Sequence, residues 1–193
     1  LRSQIHLSQL GYICLNETPE GKTTGLVKSL ATTCVISPRL DSVKILGKIK
    51  KRWIGGKETS SMLVIFDGVV VGWMSKDYQE FRSRFKTRYP YISISKDEMF
   101  IQVRTWYGRP MIPMLFGNKE GKMWKKPGKP RMGMEYVDPM EERGTPIHPS
   151  YMFGIPASLI PFSNHNQVAR NIFATSIIKQ ALQVTPYPSI HHE

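Results

Sequence analysis

The sequence predicts an α+β fold, in which small mixed antiparallel sheets and hairpins alternate with short helices and irregular loops. Three observations carry that expectation. Two runs rich in β-branched and aromatic residues, "SMLVIFDGVVVGWMS" and "EMFIQVRTWYGRPMIPML", are each interrupted by a turn signal. Aromatics fall at helical spacing in "KDYQEFRSRFKTRYP", and a second helical pattern runs from about Gln167 to Leu182. The 15 Gly and 14 Pro are spread between such runs, so no element can extend far. With 193 residues, 40% of them hydrophobic, the chain can bury the core of one large domain or two small ones.

Near the amino-terminal end, "GYICLNETPEGKTTGLVKSLATTCVIS" reads as a short strand, a turn and a helix. Thr18-Pro19-Glu20-Gly21 fits a type I turn, with Pro where φ is preset and Gly in fourth place. Thr23 or Thr24 can then cap a helix through Leu26, Val27 and Leu30. In "KILGKIKKRWIGGK" six Lys and Arg surround Trp53. Asp67-Gly68 is a strong hairpin signal, because a type I′ turn needs positive φ at both positions. In the following helix Tyr78, Phe81 and Phe85 form the apolar stripe, Asp77 is the N-cap with Glu80 at N3, Pro90 ends it, and the outer face is basic. A second hairpin is expected to turn near Tyr107-Gly108-Arg109. The stretch 117–131, "GNKEGKMWKKPGKPR", reads as a solvated loop.

Charge narrows the function classes. The chain has 27 Lys and Arg against 15 Asp and Glu, a formal net charge of +12, and so attracts polyanions. Aromatics interleaved with the cations favour nucleic acid, whose bases stack on rings. Lys50, Lys51, Arg52 and Trp53, and Lys125 and Lys126 beside Trp124, are the candidate contacts, with solvated basic loops as the plain alternative. Cys14 and Cys34 read as reduced core residues, although a disulfide between them is open on sequence grounds. No apolar run approaches the ~20 residues of a membrane span, and no signal segment opens the chain. The first residue is Leu, which suggests a piece of something longer.

Two acidic or imidazole groupings invite a metal reading. Asp138, Glu141 and Glu142 in "MEYVDPMEERG" fit a solvated acidic loop better, and His148 and His165 lack a matching ligand set, so no metal site is expected. No G-x-S-x-G elbow or Cys-His context supports a hydrolase.

The stretch "HPSYMFGIPASLIPFSNHNQVARN" holds the sharpest candidate. Ile155 to Phe162 is apolar but contains two prolines, which argues for a buried connection rather than a regular helix. Ser163, Asn164, His165 and Asn166 favour caps at the start of the final helix, where backbone N–H groups lack partners and anions are favoured. Arg170 adds a forked, permanently charged donor set suited to phosphate. Gln180 lies ~15 Å further along the same axis. An arginine so placed is either a phosphate ligand or a solvated surface residue, and the residues alone leave both open.

A resemblance adds to this reading. "LNETPEGKTTGLVKSLA", "DGVVVGW", "EYVDPMEE", "IHPSYMFGIPASLIPFSNHNQVARN" and "KQAL" occur in the order found in the second-largest, β-like subunit of multisubunit DNA-directed RNA polymerases. The likeness runs from about Arg2 to Leu182. Its wording resembles the archaeal and eukaryotic branch, since the bacterial one carries a DDANRA-like string where this chain has "HNQVARN". The resemblance implies a fork-region segment over 1–37, an external lobe over 38–131 and the start of the hybrid-binding region over 132–193. It implies that Arg170 contacts the triphosphate of the incoming nucleotide, with Asn171 beside it. It also places Glu20 near the downstream end of the RNA–DNA hybrid and Lys179 and Gln180 near the growing RNA end.

The implied partners are the largest and other polymerase subunits, template DNA, transcript and nucleoside triphosphates, with Mg2+ held mainly by the largest subunit and no membrane. An intracellular location follows, in nucleus or cytoplasm, or in host cytoplasm or virion for a virus. The chain alone is not expected to polymerise RNA. Phe173 stands where cellular eukaryotic members usually carry Tyr, and the stretch from Pro38 to Phe66 is shorter and more basic than in cellular members. Such departures fit a divergent enzyme of a large DNA virus. The alternative class is a non-enzymatic basic module that binds nucleic acid.

Overall fold

A computed structural model describes residues 3–55, 62–74, 77–116, 134–141 and 144–181. The basic loop with Trp124, Lys125 and Lys126, and also Glu142 and Leu182, lie outside the described residues. The chain divides into two compact units, one formed by Leu1–Thr32 with Met152–Glu193 and the other by Thr33–Tyr151. The architecture is the expected mixture of short helices and small sheets.

The 33–151 unit begins with strand β1 (Val35–Ile36), helix α1 (Ser42–Arg52) and strand β2 (Ile54–Gly55). The expected basic stretch around Trp53 is therefore mostly helical. Its apolar positions Ile45 and Ile49 are four apart and buried, while Lys44, Lys50 and Lys51 are exposed and the half-buried Lys48 donates to the Tyr89 hydroxyl at 2.7 Å. Asp41 caps the helix by accepting a hydrogen bond from the Lys44 N–H at 3.0 Å.

Strands β3 (Met62–Phe66) and β4 (Val69–Met74) form the hairpin expected at Asp67-Gly68. Both turn residues have positive φ, 47° and 87°, as the type I′ geometry demands. The Asp67 carboxylate is further anchored by the Thr105 backbone N–H at 2.7 Å and by the Thr105 hydroxyl. Helix α2 (Tyr78–Arg88) also forms as expected, and Asp77 accepts from the N–H groups of Gln79 and Glu80. Its outer face departs from the expectation. Arg82 and Lys86 are buried, because carboxylates of other elements reach them.

Strands β5 (Ser93–Lys96), β6 (Phe100–Arg104) and β7 (Pro110–Leu115) follow. The hairpin expected to turn at 107–109 does not exist, since β6 and β7 belong to different sheets. Strand β6 lies parallel to β3 and antiparallel to β5, giving a five-stranded order β2-β4-β3-β6-β5. Strand β7 instead pairs with β1 and with strands β8 (Met134–Val137) and β9 (Thr145–Pro146). The chain turns at Gly108, with φ 82°, and is handed to β1: the Gly108 N–H donates to the Ser37 carbonyl, and the Ser37 N–H to the Arg109 carbonyl.

One face of the five-stranded sheet, carrying Val64, Phe66, Ile101 and Val103, joins Ile45 and Ile49 of α1 and Phe81 and Phe85 of α2 in a single core. Trp53 sits inside it, edge-on to Phe81 with centroids 5.2 Å apart and to Phe85 at 6.4 Å. Its ring, 3% exposed, has no free face for a base.

The solvated acidic loop expected around Asp138 and Glu141 is not what forms. Asp138 and Glu141 are buried. Arg109 donates to the Asp138 carboxylate at 2.9 Å, and Lys86 reaches Glu141 at 2.7 Å. Among the described residues no group of three or more His, Cys, Asp or Glu is placed to hold a metal ion. Cys14 and Cys34 are both free thiols, and burial pushes the Cys34 thiol above its ordinary pKa.

Candidate active-centre surface

The other unit is built by the amino-terminal segment and by helices α3 (Ile155–Ser158) and α4 (Val168–Gln180). The amino-terminal segment is less regular than expected. Glu20 has φ −82° and ψ 158°, extended backbone that a type I turn over 18–21 cannot contain, and a 3-10 turn runs instead over Gly21–Thr23. No helix continues through Leu30. Gly25 takes φ 76°, and the Thr24 hydroxyl donates to the Pro19 and Gly21 carbonyls at 3.0 and 2.7 Å, both of which stop helical propagation. The expected strand is reduced to one antiparallel bridge, Ile13 with Leu30.

The apolar run from Ile155 to Phe162 also differs. It contains one helical turn, α3, with Pro156 accommodated in the first turn, where an N–H is not needed. Only Ala157 of that turn is buried, whereas Ile155, Leu159 and Phe162 are exposed. Phe162 takes a left-handed conformation, φ 51°, that redirects the chain into a 3-10 turn at Ser163–His165. The His165 ring meets Phe162 edge-on at 5.5 Å, and His148 accepts from the Ser150 N–H at 3.1 Å.

Helix α4 then starts with Gln167 as N-cap, and no side chain caps it. The expected capping by residues 163–166 is not made. Asn171, by contrast, is buried, and its side-chain amide donates back to the Ser163 carbonyl at 2.8 Å. Its side-chain oxygen is sealed without a partner. Asn171 thus fixes the turn that precedes the helix rather than presenting itself to solvent.

The helical repeat sorts the remaining candidates. Asn171 and Thr175, four apart, form the buried side of α4. Arg170, Phe173, Ile177 and Gln180 follow at intervals of three, four and three, one stripe at about 100° per residue. All four are exposed, Phe173 by 44% and Ile177 by 52%. The Arg170 guanidinium has no hydrogen-bond or ion-pair partner among the described residues. Lys179 lies half a turn around from Arg170, and its ammonium is 2.6 Å from the Glu17 carboxylate.

Glu17 was not among the sequence candidates, although it opens the "ETPEG" string in which Glu20 was chosen. Its side chain is only 8% exposed, against 47% for Lys179. Its backbone N–H donates to the Cys14 thiol sulfur at 3.3 Å. Gly154 makes room for it, since a Cβ there would come within 2.6 Å of a Glu17 carboxylate oxygen and 3.2 Å of the Leu30 carbonyl. A carboxylate followed at fixed distance by a Gly that must lack a side chain was the available signal, but it spans over a hundred residues of sequence. Glu20 is exposed and forms no side-chain cap.

Known proteins similar to this chain are polymerase subunits. A family model described as RNA polymerase Rpb2, domain 3, matches residues 2–36, which includes the Glu17 segment. DNA-directed RNA polymerase II subunit 2 of Arabidopsis thaliana is 26% identical over 94% of this chain and 20% of its own length. DNA-directed RNA polymerase III subunit RPC2 of Schizosaccharomyces pombe is 29% identical over 95% of this chain and 20% of its own length. The chain is similar to second-largest RNA polymerase subunits over nearly its whole length. The likeness includes a virus: a probable RNA polymerase II subunit RPB2 homolog of Invertebrate iridescent virus 3 is 24% identical over 98% of this chain and 20% of its own length. The chain spans about a fifth of the length of the curated relatives it matches. Among its described residues no helix is long and apolar enough to cross a membrane.

Proposed function

We propose that this chain works as part of a DNA-directed RNA polymerase, and that the exposed stripe of α4 lines the active-centre cleft, facing the incoming nucleoside triphosphate and the RNA–DNA hybrid. The observation that carries this reading is the uncommitted Arg170 guanidinium in the first turn of a helix whose start no side chain caps. Helix dipole and guanidinium there favour the same ligand, a phosphate.

In nucleotidyl transfer the RNA 3′ hydroxyl attacks the α-phosphorus in line, and pyrophosphate leaves. Arg170 neutralises charge on the triphosphate and aligns the leaving group. Phe173 and Ile177 offer an apolar surface further along the stripe, and Gln180 ends it with a hydrogen-bonding group near the transcript end. Lys179 acts indirectly, holding Glu17 and with it the segment that leads to Glu20. Asn171 is a positioning residue that sets the start of the helix.

Mg2+ would supply stabilisation of the attacking and leaving oxygens. Among the described residues the donor set does not suit it: Asp138 and Glu141 are committed to Arg109 and Lys86. The ions are therefore assigned mainly to the largest subunit, which completes the cleft together with other subunits, template and transcript. The fork, external-lobe and hybrid-binding names proposed for 1–37, 38–131 and 132–193 follow the same reading. Exposed Lys50 and Lys51 in the last turn of α1 are proposed as phosphate-backbone contacts, joined by Arg52.

A nucleotide with a photoreactive group on its terminal phosphate tests the assignment in the assembled polymerase. The expected adduct maps to a peptide containing residues 167–173. Labelling of this chain confined to other peptides removes α4 from the nucleotide site.

A further inference from the structure

The 33–151 unit contains a polar cavity of about 300 Å3 whose walls include Gln79 of α2, Ser95 and Lys96 of β5, Asp97, and Gln102 and Arg104 of β6. Four basic side chains of this unit are buried: Arg82, Lys86, Arg104 and Arg109. Three of them have a carboxylate within 2.9 Å, namely Glu135, Glu141 and Asp138. Arg104, 8% exposed, has none among the described residues. Its guanidinium donates to two neutral oxygens, the Ser93 hydroxyl at 3.3 Å and the Gln102 side-chain carbonyl.

A buried guanidinium without a counter-ion is costly, and a fork of five N–H donors is not exhausted by two neutral acceptors. Arg104 is itself part of the cavity wall, and none of its nitrogens is among the described buried side-chain atoms that lack a hydrogen-bond partner. Lys96 brings a second cation to the same wall, held over the Tyr78 ring at 5.4 Å, and no ion pair ties either cation to the exposed Asp97. The wall thus combines two cations with one carboxylate, neutral amide and hydroxyl donors, and room for a small anion rather than a nucleic-acid strand.

We propose that this cavity binds a phosphate group, either free inorganic phosphate or the phosphate of a mononucleotide, at a site separate from the α4 stripe and independent of its assignment. Arg104 is the forked ligand, Lys96 the second cation, and Gln79 and Ser95 supply neutral hydrogen bonds.

Calorimetric titration of the chain at low ionic strength, with inorganic phosphate and with AMP as separate probes, tests this. One saturable site is expected, weakened about tenfold by Lys96→Gln, the loss of one charge-assisted contact, and abolished by Arg104→Gln. AMP binding more tightly than phosphate assigns the site to a mononucleotide, and equal affinity assigns it to free phosphate. Should Arg104→Gln not fold, Lys96→Gln and Gln79→Ala, both at exposed positions, carry the test. Absence of saturable binding by both probes, affinity unchanged in the Lys96 and Gln79 variants, or binding by single-stranded DNA alone overturns the proposal.

Discussion

Among the described residues, Lys86 and Glu141 form the most deeply buried ion pair, with side chains 2% and 0% exposed. The ammonium also donates to the Tyr136 carbonyl at 2.7 Å, and the carboxylate accepts from the backbone N–H groups of Ile94 at 2.8 Å and Asp138 at 3.2 Å. Burial pushes the Lys86 pKa down and the Glu141 pKa up, while each partner's charge pulls the other back. The pair therefore joins α2, β5 and the turn after β8 through hydrogen bonds that cannot be remade with water. Lys86→Met removes one partner and leaves a carboxylate in a closed site, a change expected to cost about 3–5 kcal/mol in denaturant unfolding. A cost below about 1 kcal/mol, the scale of an exposed pair, would mean that water reaches Glu141. Residue chemistry hid this in the sequence, because Pro139 and Gly144 around two acids look like a loop whether or not cations from α2 and the 105–109 segment arrive.

At the scale of elements, legibility followed the range of the interaction that decides each one. Asp67-Gly68 and Asp77 with Glu80 are decided within four residues, by φ at a turn and by N–H groups at a helix start, and both were readable. The helix expected through Leu30 failed to form because Gly25 and the Thr24 hydroxyl act locally against it. The β6–β7 hairpin failed for a distant reason: Ser37, some seventy residues earlier, takes the backbone groups at 108–109. Within the candidate site, the helix and the places of Arg170 and Gln180 along it were legible from helical spacing, whereas the exposed stripe through Phe173 and Ile177 was not, and the Glu17–Lys179 contact joins parts of the chain that sequence spacing does not relate.

Helix α1 offers a pH test. The Lys44 N–H bonded to the Asp41 carboxylate, and the Lys44 charge beside it, hold that group below its ordinary pKa. A carboxyl group depressed by folding stabilises the folded state above its unfolded pKa, and that contribution is lost as the pH falls through the folded value. Thermal unfolding of the chain and of Asp41→Ala should therefore differ at neutral pH and converge in acid. A gap independent of pH would deny the charged cap its role.

For the molecule as a whole, most basic side chains among the described residues are at least partly exposed, while the buried cations are matched by carboxylates with the exception of Arg104. Exposed apolar groups gather on Ile155, Leu159 and Phe162 and along the α4 stripe. Under the proposed function, such surfaces are where the rest of a polymerase would meet the chain. On that proposal two sides of one helix have different work, the Arg170 side meeting nucleotide and the Lys179 side holding Glu17. Single-turnover nucleotide addition by the assembled polymerase, measured against nucleotide concentration for Arg170→Ala and Lys179→Ala, tests it most directly. Loss of the Arg170 contact, worth ~1.5–3 kcal/mol, should lower kcat/KM about tenfold or more, while Lys179→Ala changes it less and lowers thermal stability instead. Unaltered KM and kcat in Arg170→Ala would contradict the account.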